Sequence, residues 1–179
     1  KEFPRLKVVL PAVTFEDRMV IHDGHREIQL WHPGGPAHTV GDTAVYLPKG
    51  KVLFAGDIAF HYVTPLAFQG HVGNWIKAAD RLLAFDAEAI IPGHGPIGTK
   101  ADLKKMRDYL AWVRREAKRR FDAGMSPEEA ARDPSLVAVV QEHGNDGDRA
   151  QTVERGDVTE PRHRRRGDAI RNTTCRHTF

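Results

Sequence analysis

The sequence predicts an α/β fold in which helices cover one face of a mixed β-sheet. Two turn signals, Asp23-Gly24 and Pro48-Lys49-Gly50, each lie between short β-rich runs, which favours antiparallel hairpins. Further along the chain, two longer segments repeat apolar residues at helical spacing, with a short apolar run between them. The predicted order is hairpins, helix, strand and helix, which is typical of layered α/β domains.

The strands are predicted from β-rich runs beside turn residues. Four such runs flank the two turns: residues 19–21, 27–31, 43–47 and 51–55. Pro11 interrupts an earlier apolar run at residues 6–13, so we expect an extended edge segment or an initial strand there. Residues 58–73 contain a proline and two glycines and read as an irregular connection. A short buried strand is predicted at residues 89–91, before Pro92.

The helices are predicted from caps and apolar spacing. Asn74 is expected to cap the first helix, whose apolar residues are Trp75, Ala78, Ala79, Leu82 and Leu83. Thr99 and Asp102 resemble a capping box and predict the start of a second helix, which ends at Gly124. A cap, a proline and a glutamate within residues 126–129 predict a third, short helix.

The chain divides into a domain over residues 1–143 and a tail over 144–179. Periodicity disappears in the tail, so we expect disorder there, and the abrupt change also suggests a frameshifted or otherwise artefactual terminus. Much of the net charge of +3 comes from this tail. Its arginines have no aromatic residues between them, so nucleic acid is a disfavoured partner.

Cysteine content and hydropathy exclude two further classes. Cys175 is the only cysteine, so the chain has neither an internal disulfide nor a cysteine-based zinc motif. No apolar run approaches the roughly 20 residues that span a bilayer, and we expect no membrane partner.

Three side chains that can bind metal follow apolar runs at glycine-rich turns: His38, Asp57 and His94. Imidazole nitrogen and carboxylate oxygen are ligands of zinc, iron and manganese, and a carboxylate can bridge two cations. Each residue alone is also compatible with an ordinary turn. Their order and their shared position at strand ends favour a metal site.

Three motifs, residues 35–42, 53–57 and 91–96, together resemble the later motifs of the metallo-β-lactamase-fold hydrolase superfamily. The resemblance covers roughly residues 5 to 135. It implies the C-terminal half of an αββα sandwich and, in the intact protein, two zinc ions, with iron or manganese as alternatives. By this resemblance His38 completes the ligands of the first metal, Asp57 bridges both metals and His94 binds the second.

One motif of that superfamily, His-x-His-x-Asp-His, does not occur in this sequence. In the superfamily it supplies two ligands to each metal. We therefore predict that the chain is an incomplete fragment which alone binds metal weakly, and we assign it no catalytic residue. The missing N-terminal half of the fold is the expected partner. Without that half an apolar sheet face is exposed, which favours self-association.

The resemblance implies a hydrolase in which metal-bound hydroxide attacks an ester, thioester, lactone or amide carbonyl of a small molecule. Alternatives are a non-catalytic half-domain that acts as a binding module, and an iron-dependent redox or nuclease branch of the fold. Candidate substrate contacts are His61, Tyr62 and His71, which flank the predicted irregular stretch. Asp42 is either a residue that orients the His38 ring or a plain loop carboxylate.

Overall fold

The computed structural model describes residue 7, residues 9–67 and residues 69–134. Five strands form one sheet in the order β1-β2-β3-β4-β5. Their bounds are β1 Arg18–Asp23, β2 Arg26–Trp31, β3 Ala44–Leu47, β4 Val52–Phe60 and β5 Ala89–His94. The first four strands pair antiparallel in chain order, whereas β4 and β5 are parallel. This mixed sheet with helices confirms the predicted α/β class.

Three helices accompany the sheet: α1 Val72–Leu83, α2 Lys100–Asp122 and α3 Pro127–Ala131. The buried residues of α1 are spaced one helical turn apart and share one core with the inner residues of the sheet, such as Leu53 and Ile90. Leu103, Met106 and Leu110 of α2 join the same core. A half-buried position at nearly every residue of β2 is consistent with a sheet covered on one face.

Both predicted hairpins are present. Asp23 pairs with Arg26 across a two-residue turn whose first residue, Gly24, has φ 59°, a conformation that glycine adopts without steric cost. A 3-10 turn over Pro48–Gly50 joins β3 to β4. The sheet therefore has the strand order that these local signals indicate.

One of the two alternatives for residues 6–13, an initial strand, is not formed in its described part, and one predicted strand end is wrong. Residues 9–13 form no strand and are exposed, while Leu6 and Val8 lie outside the described residues. Strand β5 does not stop before Pro92 but continues to His94. The proline is tolerated because β5 lies at the edge of the sheet, where one side of the strand needs no donor.

Helix α1 begins at a different residue from the one predicted. His71 is the N-cap, and its Nδ1 accepts a hydrogen bond of 3.1 Å from the backbone N–H of Asn74, which lies inside the first turn. The predicted capping boxes at Thr99–Asp102 and Ser126–Glu129 are both formed.

Asp102 is held at the start of α2 by several donors. Burial alone would raise its pKa, but the hydroxyl of Tyr62 donates to Oδ1 at 2.6 Å and the backbone N–H of Thr99 donates to Oδ2 at 2.8 Å. With the nearby charge of Lys105, these bonds lower the pKa of Asp102 from its usual 3.8 to about 2.

This pKa predicts a pH dependence of stability. Because the folded-state pKa lies below the unfolded one, the stabilisation is present above pH 3.8 and is lost as the pH falls towards about 2. We expect the free energy of unfolding of Asp102→Asn to fall less steeply with acid than that of the wild type, measured by urea unfolding across this range. Asp23→Asn, in the exposed hairpin, serves as control. If the free energy of unfolding changes with pH equally steeply in Asp102→Asn and in the wild type, the lowered pKa of Asp102 is contradicted.

Two further expectations concern the C-terminal tail and the absence of a membrane-spanning segment. The expected disorder of the tail falls at residues 144–179, outside the described residues. Among the described helices, none combines the length and the apolar character that crossing a bilayer requires.

The sheet face opposite the helices carries a continuous apolar row. Residues that face each other in register share a face, and the register links five of them across the five strands: Met19, Leu30, Val45, Phe54 and Ile91. None of the five is buried, and Phe54 is 40% exposed. We call this surface the open face.

Candidate metal site

The three predicted metal-binding residues come together in the structure. Asp57 lies in the second half of β4 and His94 ends β5, and the carboxyl ends of neighbouring parallel strands meet at one edge. His38 reaches the same point from the loop before β3. Its Nδ1 lies 3.5 Å from Oδ2 of Asp57, and Nε2 of His94 lies 3.6 Å from Oδ1. Each imidazole therefore faces a different oxygen of one carboxylate.

The three side chains supply donor atoms of the kinds that bind metal. Within the described part of the chain, no group of three or more His, Cys, Asp or Glu side chains is arranged to hold a metal ion. The chemistry of the donors nevertheless fits metal: Nδ1 of His38 is buried and has no hydrogen-bond partner among the described residues, and it points to a carboxylate. A cation between these atoms would satisfy both groups.

The His38 ring is fixed by aromatic packing. It lies edge-on to Trp75 at a centroid distance of 5.3 Å and is tilted against Phe60 at 5.8 Å. Trp75 is fully buried, and its indole N–H donates to the carbonyl oxygen of Ile58 at 2.8 Å. The core of the domain thus sets the orientation of this imidazole.

Of the two alternatives for Asp42, the structure agrees with a loop carboxylate and shows no direct bond from Asp42 to the His38 ring among the described residues. Its carboxylate accepts hydrogen bonds from the backbone N–H of Thr39, at 2.9 and 3.1 Å, and from the Thr39 hydroxyl at 2.8 Å. Asp42 therefore closes the turn that follows His38 and holds the backbone, not the imidazole.

Two glycines keep space for the site, and sequence reasoning did not single out either for this role. A β-carbon at Gly93 would overlap Oδ1 of Asp57 and lie 2.9 Å from Asp57 N and from Gly56 C. A β-carbon at Gly70 would overlap the carbonyl oxygen of Ala37 and lie 3.2 Å from the His38 Cα. For Gly93 the only available signal was its place beside His94, and Gly70 had no such signal, because close approach depends on the fold.

The predicted substrate contacts occupy three different environments. His61 is 1% exposed, with Nδ1 3.0 Å from the Pro96 carbonyl oxygen, and burial lowers its pKa. His61 packs beneath the loop after β5. His71 is exposed and caps α1. Tyr62 is half-buried and bonds to Asp102.

Phe60 connects the parts of the site. Its ring stacks on His94 at 4.7 Å with an interplanar angle of 21°. Next to it, the backbone N–H of His61 donates to the carbonyl oxygen of His94 at 3.0 Å. The end of β4 therefore fixes both the ring and the backbone of His94.

Comparison with known proteins agrees with this geometry. The family model described as Metallo-beta-lactamase superfamily matches residues 6–94, which include all three candidate ligands. A metallo-beta-lactamase from Pontibacter korlensis superimposes with a TM-score of 0.51 and 27% identity, over 56% of this chain and 49% of that one. The chain belongs to the metallo-beta-lactamase superfamily. Its five-stranded mixed sheet corresponds to part of that fold.

Two relatives of this metallo-beta-lactamase superfamily member are named for different activities. A linear primary-alkylsulfatase from Pseudomonas sp. (strain ATCC 19151) is 24% identical over 68% of this chain. The alpha subunit of a 2,4-dinitroanisole O-demethylase from Nocardioides sp. (strain JS1661) is 32% identical over 44% of this chain. The chain spans about a quarter of the length of either relative.

Proposed function

We propose that this chain supplies three ligands, His38, Asp57 and His94, to the metal centre of a hydrolase. The observation that supports this most strongly is the placement of two imidazole nitrogens 3.5 and 3.6 Å from the two oxygens of Asp57. A carboxylate approached in this way suits a bridge between two cations. Zinc is the proposed metal, with iron and manganese as alternatives for the same donors.

The chain's own residues define what the site does to a substrate. Metal bound at such a site polarises the bond to be cleaved and lowers the pKa of coordinated water. Asp57 and the two histidines would hold the metal, and the carboxylate of Asp57 would balance part of its charge. Phe60 and Trp75 fix the rings and exclude water from the buried side of His38.

The proposed substrate is a small molecule with an ester, thioester, lactone or amide bond. We include sulfate esters among the proposed substrates, because the alkylsulfatase relative is similar over two thirds of the chain. We do not favour β-lactams, because a bridging aspartate resembles the thioesterase and lactonase branches.

Three donors divided between two cations leave both coordination shells incomplete, because a zinc site usually has four ligands. We therefore propose that the remaining ligands come from the other half of the fold and that the 179-residue chain alone binds zinc weakly and is inactive. The same half would cover the open face. In its absence we expect the chain to self-associate through this apolar surface.

The test uses the protein encoded by the complete open reading frame that contains this sequence. We expect His38→Ala, Asp57→Ala and His94→Ala each to lower metal content, measured by elemental analysis, and to abolish hydrolysis of p-nitrophenyl esters and sulfate. His25→Ala in the hairpin turn is the matched control and should retain both. Metal content in the His38 and His94 variants equal to that of His25→Ala would refute the proposal, as would tight stoichiometric zinc binding by residues 1–143 alone.

A further inference from the structure

A cleft of about 650 Å³ lies between the segment after β4 and the first half of α2. This volume is within the range of small-molecule sites. Four aromatic residues contribute to its lining: Phe60, Tyr62, Tyr109 and Trp112. The side chains of Val63, Pro65 and Met106 extend the apolar surface. The lining is thus mainly apolar and rich in π-systems.

Phe60 joins this cleft to the candidate metal site. The same ring that lines the cleft stacks on His94 at 4.7 Å and lies 5.8 Å from the His38 ring. Phe60 is therefore shared between the lining of the cleft and the ring contacts of the two histidines. The cleft and the site form neighbouring parts of one surface region.

Tyr62 is fixed as a wall of the cleft. Its φ of 59° is in the left-handed region, which a tyrosine adopts only when its surroundings hold it there. Its hydroxyl donates to Asp102 at 2.6 Å, and the ammonium of Lys105 lies 5.0 Å from its ring centroid. A ring held in this way loses little freedom when a ligand packs against it.

The charges around the cleft disfavour a charged occupant. Three charged residues line it, Asp102, Asp108 and Lys105, and each of them is already paired. Asp108 pairs with Lys104 and Arg107, which lie outside the lining. The ammonium of Lys105 already donates to the Tyr62 hydroxyl at 3.3 Å and lies 3.7 Å from Asp102. A charged occupant would have to compete with these ion pairs, whereas an uncharged aromatic group gains offset or edge contacts with the rings.

We propose that this cleft binds an uncharged aromatic group of the substrate, with the bond to be cleaved on the side of Phe60 that faces the two histidines. That the occupant is a substrate rests on the proposed function. That the cleft binds an aromatic group does not depend on the proposed function. An experiment can therefore contradict one proposal and leave the other standing.

The test is an NMR titration of the 179-residue chain without metal, with two probes of matched shape, 4-phenylbutan-1-ol and 4-cyclohexylbutan-1-ol. We expect the aromatic alcohol to bind roughly 2- to 10-fold tighter, because ring contacts add to simple area burial. Val63 lines the cleft and is 44% exposed, so Val63→Trp should fill the cleft and weaken binding about tenfold or more. Val63→Ala should leave the cleft open and binding intact.

Phe54→Glu on the open face is the matched control for binding elsewhere. It should leave the affinity of the aromatic alcohol unchanged, and well-dispersed spectra of each variant establish that it is folded. Equal affinity for the two alcohols overturns the assignment of an aromatic occupant. Loss of binding in Phe54→Glu but not in Val63→Trp places the probe on the open face and overturns the proposal entirely.

Discussion

Replacing Gly93 with alanine should both destabilise the domain and remove metal from the intact protein. The added β-carbon would overlap the Asp57 carboxylate and lie 2.9 Å from two backbone atoms, Asp57 N and Gly56 C. A carboxylate can rotate away, but backbone atoms of a paired strand cannot, so β5 must shift from β4. We expect a loss of about 3 kcal/mol in the free energy of unfolding.

Gly41→Ala is the matched control, because a β-carbon there meets no atom within 4 Å. Urea unfolding of the 179-residue chain measures the stability of both variants, and elemental analysis of the longer protein measures their metal content. If Gly93→Ala matches Gly41→Ala in both measurements, the close approach of β5 to Asp57 is not required.

Replacing Trp75 with alanine should cost about 3 to 5 kcal/mol, a large part of the stability of a domain of this size. The side chain is fully buried and contacts the rings of Phe60 and His38, so its removal leaves a cavity beneath the candidate site. Denaturant unfolding followed by circular dichroism measures the loss.

Trp75→Phe separates the two roles of the indole. It keeps most of the apolar volume but leaves the carbonyl oxygen of Ile58 without its 2.8 Å donor, so we expect a smaller loss of roughly 1 to 3 kcal/mol. A loss below about 1 kcal/mol for Trp75→Ala would show that the neighbouring rings collapse into the space and that the orientation of His38 does not depend on Trp75.

Local signals predicted most of the secondary structure. Hairpin turns and capping boxes depend on residues close in the chain, and both hairpins and both boxes formed as expected. The start of α1 was wrong because His71 competes with Asn74 as a cap, and which ring accepts the bond depends on the path of the preceding loop. The end of β5 was wrong because a proline is tolerated where a strand lies at the edge of a sheet.

The sequence predicted the donor residues of the candidate site but not the residues that hold those donors in place. The three motifs identify His38, Asp57 and His94, and the structure brings them together. The burial of His61 and the stacking of Phe60 on His94 depend on how the end of β4 meets the loop after β5, which no local pattern contains. Asp42 was assigned to the right loop, although its partner is backbone rather than imidazole.

The pairing of β4 with β5 has a consequence for the order of folding. Among the described strands this pair alone is parallel, and the connection between its strands includes all of α1. The antiparallel hairpins close short loops, whereas this pair closes a long one and is expected to form later. During synthesis we therefore expect Asp57 and His94 to stay apart until β5 docks against β4.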